Sequence, residues 1–178
     1  MFYPQMVTNK EVSIPYSLYQ SKKGNYFIGQ TPTLEGQSPR AIAALVNPKC
    51  SNVDIYVNAI TITNISEANL SAEFYLRGYF IGGTVSDSVS CANVGIKPKP
   101  NPNGKIVYLS TATEPPKNGV DIFSRIVSPN TTLVVDGGQI ILSPGQALSV
   151  YLGGFLPVTL DSAIVAFGWW EEHRCKPY

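Results

Sequence analysis

Apolar and polar side chains alternate along much of this chain with a period of two, and this alternation is its strongest pattern. Between Leu70 and Phe80 the even-numbered positions are aliphatic, aromatic or glycine, and the odd-numbered positions are polar or tyrosine. Because successive side chains of a strand point to opposite faces, this stretch predicts a β-strand with one buried face. From Val53 to Thr63 the apolar positions change parity midway, which predicts a β-bulge or a passage from one sheet to another.

Runs of the same kind recur along the chain at roughly 8–15-residue spacing, separated by Gly, Pro, Asn and Asp. They predict further strands at Tyr26–Gln30, Ala41–Val46, Thr84–Cys91, Lys105–Ser110, Val120–Val127, Thr131–Val135, Gln139–Leu142, Ala147–Leu152 and Ala163–Trp170. The last run is apolar at both parities, so we expect a central strand that is covered on both faces. Asp136-Gly137-Gly138 lies between two runs and predicts a tight hairpin turn, which needs positive φ.

Many short strands without helices are typical of an all-β sandwich or barrel. We predict an antiparallel β-sandwich with a jelly-roll-like topology, formed as a single domain by residues 25–178. An immunoglobulin-like sandwich is the alternative, disfavoured because no Cys–Trp–Cys arrangement is present. In residues 1–24 apolar side chains are scattered without clean parity, which predicts an extended N-terminal arm. This arm either packs along its own sandwich or adds a strand to a neighbouring subunit.

The chain of 178 residues is poor in charge: only 14% of its residues are charged and the net charge is +1. This balance excludes the electrostatic footprint of a dedicated nucleic-acid binder. The longest apolar run, Ala41–Val46, is far shorter than the roughly 20 residues of a membrane helix. The first residues lack the features of a secretory signal, so we expect synthesis in the cytosol. The sequon Asn64-Ile65-Ser66 is therefore interpreted as polar turn residues.

Few residues of this chain suit catalysis. Its single histidine, His173, lies in the segment Glu171–Cys175, where a Cys175–His173 pair or a loose set of metal ligands is possible. A solvated, charged tail explains this segment better. The carboxylates are dispersed, and the nucleophile elbow, the P-loop and the dinucleotide fingerprint are missing. We therefore predict no enzymatic activity, no metal and no cofactor.

Three cysteines are too few for a disulfide framework, and their odd number leaves at least one free or paired with another chain. Cys175, beside Arg174 and Lys176, is the candidate for a thiol shared between subunits. Cys50 and Cys91 are interpreted as ordinary thiols near the sheets.

Ten tyrosines and two tryptophans form a large aromatic complement, and some of them have the parity opposite to the aliphatic core. Subunit interfaces are enriched in aromatic side chains, and few charges are present here to keep such a surface monomeric. We therefore expect the partner of this protein to be another copy of itself. The candidate interface residues are Tyr3, Val12, Ile14, Tyr16, Tyr19, Tyr75, Tyr79 and Trp170. Stacking of the exposed aromatics on sugar rings is the alternative.

Two segments, Arg125–Leu152 and Ile164–Glu172, resemble a small, largely uncharacterised family of all-β proteins from spore-forming Gram-positive bacteria. With Leu45–Pro48 and Gly83–Asp87, the resemblance covers residues 25–172. The shared motifs are structural, so the resemblance implies no active site. It implies synthesis in the mother-cell cytosol and deposition on the spore or cell surface, as part of a layer or an appendage. The chain lacks the cysteine-rich N-terminal connector of the best-known endospore appendage subunits.

The sequence thus predicts a non-enzymatic structural protein that self-assembles into an oligomer, a layer or a filament. A carbohydrate- or receptor-binding β-sandwich module is the first alternative. A phage-derived capsid or tail decoration protein is the second.

Overall fold

The computed structural model describes residues 13–35, 40–154, 156 and 162–174 of the chain. In chain order its elements are α1 (Tyr16–Lys23), β1 (Tyr26–Gln30), β2 (Leu34–Glu35), β3 (Ala41–Val46), β4 (Val53–Asn64), β5 (Leu70–Leu76), β6 (Thr84–Val85), β7 (Val89–Cys91), β8 (Lys105–Leu109), β9 (Val120–Val127), β10 (Thr131–Leu142), β11 (Ala147–Leu152) and β12 (Ser162–His173).

The strands form two six-stranded antiparallel sheets, so the prediction of an all-β sandwich is confirmed. Sheet A has the order β10-β4-β12-β1-β7, with β2 also paired to β12, and sheet B has the order β6-β8-β3-β11-β5-β9. The main pairs are nested along the chain: β1 with β12, β3 with β11, β4 with β10, and β5 with β9. The chain is therefore folded back on itself into two layers. β7 extends sheet A next to β1, and β8, followed by β6, extends sheet B next to β3.

The core lies between the inner faces of the two sheets. Trp169 and Phe167 of β12 and Ile60 of β4 contribute from sheet A, while Phe74 of β5 and Leu148 of β11 contribute from sheet B. Each of these side chains is at most 2% exposed. The alternation read from the sequence reflects this burial, because inward positions on each strand recur every second residue.

The change of parity in β4 is a β-bulge. Ala59 pairs with Gly168 and Val57 pairs with the next residue of β12, Trp169, so Asn58 is an extra residue without a partner in that strand. Val57 and Ile60 are both fully buried although they lie on opposite parities. The bulge thus allows one continuous strand to face the core along its whole length.

The prediction of a hairpin turn at Asp136-Gly137-Gly138 is wrong. β10 runs without interruption through this tripeptide, and its register against β4 shifts between Asp136 and Ile140. Neither Gly137 nor Gly138 has positive φ, and the amide of Gly138 donates to Asp136 Oδ1 at 3.0 Å. The tripeptide is part of a second bulge. On β10 the residues Asp136 and Ile140 pair with Ala59 and Val57 of β4, so three residues of β10 lie opposite Asn58.

Substitution of the two glycines distinguishes the bulge from a turn. A Cβ at position 137 would lie 2.7 Å from Cγ1 of Val57, whereas at position 138 its nearest contact is the Asp136 carboxylate at 3.3 Å. We expect Gly137→Ala to lower the free energy of unfolding by about 1–3 kcal/mol through overpacking, and Gly138→Ala to change it by less than about 0.5 kcal/mol. Urea denaturation of both variants measures this, and equal effects would contradict the bulge.

Part of the predicted extended arm is helical. Residues Tyr16–Lys23 form α1, which begins after Pro15 and ends at Gly24 with φ 82°. Proline before the first turn, lysines in the last turn and glycine at the left-handed cap are helix boundary signals. The eight-residue stretch was too short to show a helical period, and its contacts with sheet A stabilise it. No helix in the described ranges is long and apolar enough to span a membrane.

Two other predictions change in detail. The predicted strand Thr84–Cys91 is two short strands, because β6 pairs with β8 in sheet B whereas β7 pairs with β1 in sheet A. The predicted strand Leu70–Phe80 ends at Leu76, where the next residue, Arg77, has a φ of 64°. In both places the chain leaves its sheet.

The interpretation of Glu171 as part of a solvated tail is wrong. Its side chain lies on the inner face of β12 and is 6% exposed. The carboxylate accepts hydrogen bonds from four N–H groups: the backbone of Asn103 at 3.0 Å, the Asn103 side chain at 2.8 Å, the backbone of Gly104 at 2.8 Å and the indole of Trp169 at 3.1 Å. It therefore attaches the loop before β8 to the end of the sandwich.

We expect Glu171→Gln to lower the free energy of unfolding by about 2–3 kcal/mol, because the amide replaces an acceptor oxygen with a donor and loses the charge-assisted bonds. Glu67→Gln, at an exposed turn position, is the control and should change it by less than about 0.5 kcal/mol. The measurement is urea denaturation at neutral pH. Similar stabilities of the two variants would show that the carboxylate does not hold the loop.

Candidate functional surface

The outer face of sheet A is divided into a covered part and an open part. In the covered part, Trp170 stacks on Tyr56 with ring centroids 5.3 Å apart and meets Tyr16 of α1 edge-on at 5.9 Å. Tyr16 Oη and Gln20 Nε2 both donate to Glu172 Oε1 at 2.7 Å. Trp170 is consequently only 8% exposed. β12 is a central strand of sheet A, as predicted, but its outer face is covered only in part: α1 covers it at Trp170, whereas Ala166 and Gly168 line the open part.

Two tyrosines of this covered part have a pKa above the ordinary value. For Tyr16 the main cause is the hydrogen bond that its hydroxyl donates to Glu172, which deprotonation would destroy. For Tyr56, burial raises the pKa, and the nearby Glu172 carboxylate acts in the same direction. Both hydroxyls are therefore neutral at neutral pH. The two groups of α1 that donate to Glu172, the Tyr16 hydroxyl and the Gln20 amide, are thus uncharged.

The open part contains a groove of about 640 Å³. Its floor is made of small outward-facing residues from β4 and β12, Ala59, Ala166 and Gly168. Residues of β1, Tyr26 and Ile28, form an apolar wall, and Ile28 is 50% exposed. The remaining lining residues are Gly29, Gln30, Thr61, Asp87, Ser88, Val89, Ser90 and Phe167.

The bulge in β4 positions one wall of this groove. The side-chain amide of Asn58, the extra residue, donates to Tyr26 Oη at 3.0 Å. The same hydroxyl lies over Gly168, where an added Cβ would be 2.7 Å from it. Burial raises the pKa of Tyr26. The ring is therefore held flat against the sheet by a hydrogen bond on one side and by the lack of a side chain on the other.

Charge is nearly absent from the groove. Asp87 is the one carboxylate among its lining residues. A second carboxylate, Asp136, is in register with Ala59 on β10 and so lies on the same outer face, at the edge of the sheet. The groove is thus an uncharged floor with acidic residues on two opposite sides.

The outer face of sheet B is different, because loops cover its centre, although Ile126 of the edge strand β9 is 56% exposed. Ile42, Tyr151 and Ala112 are buried together there, and Phe80 and Leu109 pack against them. Beside this cluster Tyr75 Oη donates to Glu73 Oε2 at 3.3 Å. Burial, with the charges of Glu73 and Asp121, raises the pKa of Tyr75 to about 12, and burial raises that of Tyr151.

The alkaline stability of the protein follows from the pKa of Tyr75. The folded state holds this proton more tightly than the unfolded state, whose tyrosines titrate near 10, so the stabilisation is complete below pH 10. It is lost as the pH rises from 10 to about 12. We expect the free energy of unfolding of the wild type to fall more steeply over this range than that of Tyr75→Phe. Tyr79→Phe, at an exposed ring, is the control and should follow the wild type; a Tyr75→Phe curve as steep as the wild type would contradict the assignment.

The edges of both sheets are poorly suited to pairing with another strand. The edge strands β6 and β7 contain two and three residues. The longer edge strands are irregular, since β10 carries the bulge at Asp136 and β9 shifts register against β5 between Phe74 and Tyr75. Short or bulged edges are devices that prevent edge-to-edge association. Within the described ranges, the faces are therefore better contact surfaces than the edges.

The structure separates the predicted interface residues. Tyr16 and Tyr19 are 55% and 39% exposed on α1, and Ile14 precedes the helix half-buried. Tyr75 lies on sheet B, and Tyr79, 51% exposed, lies in the loop after β5. Trp170 is covered by α1, so it is not a surface residue of the single chain. Tyr3, Val12 and the predicted inter-subunit thiol Cys175 lie outside the described residues.

The groove residues themselves were missed by the sequence reasoning. Ala59, Ala166 and Gly168 have small side chains without functional groups, so nothing in the sequence marks them as a binding surface. The alternation of the sequence shows only that they lie between residues that face the core. The parity change at Asn58 was recognised, but its link to Tyr26 depends on the pairing of β1 with β12.

Metal-binding chemistry is not evident in the described part of the chain, which contains no group of three or more His, Cys, Asp and Glu side chains that could hold an ion. Cys50 is an exposed free thiol and Cys91 is a buried one.

Asn64 of the sequon is 1% exposed, and its side-chain amide donates to the carbonyls of Ala68, Val127 and Ser128, so it is a structural residue.

Residues 2–176 match the family described as "Family of unknown function (DUF6143)". Comparisons with curated proteins and with solved structures found no match.

Proposed function

The chain belongs to the family DUF6143, and we propose that it is a non-enzymatic structural protein that self-assembles through the open part of the outer face of sheet A. The observation that supports this proposal is the groove over Ala59, Ala166 and Gly168, whose floor is uncharged and whose lining includes a single carboxylate, Asp87. Interface cores are depleted of charge, and a polar rim surrounds them. Gln30, Ser88 and Ser90 provide such a rim here.

The rest of the described surface favours the same face. The centre of the outer face of sheet B is occupied by its own loops, and Tyr151 beneath them is 2% exposed, which leaves Ile126 exposed only at the edge. The four sheet edges are short or bulged. The open face of sheet A carries Val134 and Ile28, which are 67% and 50% exposed, beside the small floor residues. Exposed apolar side chains grouped around a polar rim mark interaction sites.

Assembly on a spore or cell surface, after synthesis in the cytosol, is part of this proposal and rests on the sequence resemblance. Carbohydrate binding remains a prediction. The ring proposed for sugar stacking, Trp170, is held between Tyr56 and Tyr16 in the single chain. The groove offers Tyr26 as its aromatic residue, and this ring lies against Gly168.

The test introduces a charge into the groove. We expect Ala166→Arg to raise the dissociation constant of the oligomer by about 100-fold, since the long side chain fills the space above the floor residues and its charge would be removed from water at the interface, at a cost of about 3 kcal/mol. Thr61→Arg, at the neighbouring position on β4, should act in the same way. Size-exclusion chromatography with light scattering over a concentration series measures the change.

Thr84→Arg is the control, because it adds the same charge at an exposed position of β6 in the other sheet. Thermal melting of each variant verifies that it is folded. A wild-type protein that stays monomeric at high concentration, or a Thr84→Arg variant that dissociates as much as Ala166→Arg, would overturn the proposal.

A further inference from the structure

The open face of sheet A is too small to hold two copies together by itself. Four strands, β10, β4, β12 and β1, span about 19 Å at a spacing of about 4.8 Å. The five residues from Thr132 to Asp136 extend about 17 Å, so the flat area is about 300 Å². A stable interface buries about 800 Å² on each partner. If assembly uses this face, another segment must supply the remaining contact.

The described chain next to this face continues, before Ser13, into residues 1–12 of the sequence. The described chain enters α1 at Tyr16, whose ring contacts Trp170. Trp170 is in register with Tyr26, the wall of the groove, so the start of the helix lies beside the groove. Residues 1–12 can span at most about 40 Å when extended, which is about twice the width of the face.

The chemistry of this segment complements the groove. Its sequence, MFYPQMVTNKEV, has large apolar side chains at Phe2, Tyr3 and Met6. The groove floor has the opposite character, because Ala59, Ala166 and Gly168 leave room above the sheet. The side chains of the segment carry no net charge, because Lys10 is followed by Glu11, and this matches a groove whose floor is uncharged.

We propose that residues 1–12 of one copy lie in the sheet A groove of a second copy, with Phe2, Tyr3 and Met6 over its small floor residues. This inference rests on the proposed self-assembly. A two-fold pair makes the contact twice, since each copy gives its segment and receives the other. The segment lies on the face and not along an edge, because the edges are short or bulged.

The experiment uses the full chain and identifies the copy that each segment contacts. Unlabelled protein carrying benzoylphenylalanine in place of Tyr3 is mixed with ¹⁵N-labelled protein, irradiated and analysed by mass spectrometry. We expect cross-links from the unlabelled segment to labelled peptides that contain Tyr26–Gln30 or Ser162–His173. Labelled protein with Ala166→Arg should lose these cross-links, and labelled protein with Thr84→Arg should retain them.

A second measurement does not depend on the probe. The substitutions Phe2→Ser and Tyr3→Ser together should weaken the oligomer of the full chain by at least about tenfold, while the melting temperature measured at a dilution where both proteins are monomeric stays unchanged. Cross-links confined to the same copy, or to surfaces away from the groove, in a protein that still associates would overturn this inference alone. A protein that is monomeric throughout would overturn the proposed function as well.

Discussion

The extra residue in β4 is the constraint on which much of this molecule depends. With Asn58 inserted, Val57 and Ile60 both point into the core, so a single strand of 12 residues can line the interior. The neighbouring strand β10 has a bulge of its own opposite Asn58, which keeps it paired with β4 on both sides of the insertion. On the outside, the side chain of Asn58 holds the hydroxyl of Tyr26 over Gly168. One insertion therefore organises both the packing of the core and the wall of the groove.

The two outer faces of the sandwich differ in how far other parts of the chain cover them. Loops and the buried cluster of Ile42, Ala112 and Tyr151 cover the centre of sheet B, whereas α1 covers sheet A only at Trp170 and Tyr56. The open remainder combines small residues, few charges and an apolar wall. An exposed surface of this kind is costly to leave in water, and the contact with a second copy that we propose would remove it from solvent.

Low charge has a clearer meaning in the folded protein than in the sequence. The buried Glu171 carboxylate attaches a loop through four N–H donors, and Glu172 accepts hydrogen bonds from α1. Some of the few carboxylates are thus structural. Glu171 is buried on the inner face and Glu172 is bonded to α1, so neither adds a carboxylate to the open part of sheet A.

The sequence by itself determined the fold class, several strand bounds and the place where β4 changes parity, because the period of two records which side chains face the core; the pairing with β12 then showed this change to be a bulge and not a passage between sheets. Strands β1, β3, β9 and β11 have the predicted bounds. Only the tertiary structure decided that Asp136-Gly137-Gly138 is a bulge and that Tyr16–Lys23 is a helix, since each depends on a partner strand or ring remote in the chain. The groove was beyond the sequence for the same reason. Ala59, Gly168 and Tyr26 form a surface only when three separate strands lie side by side.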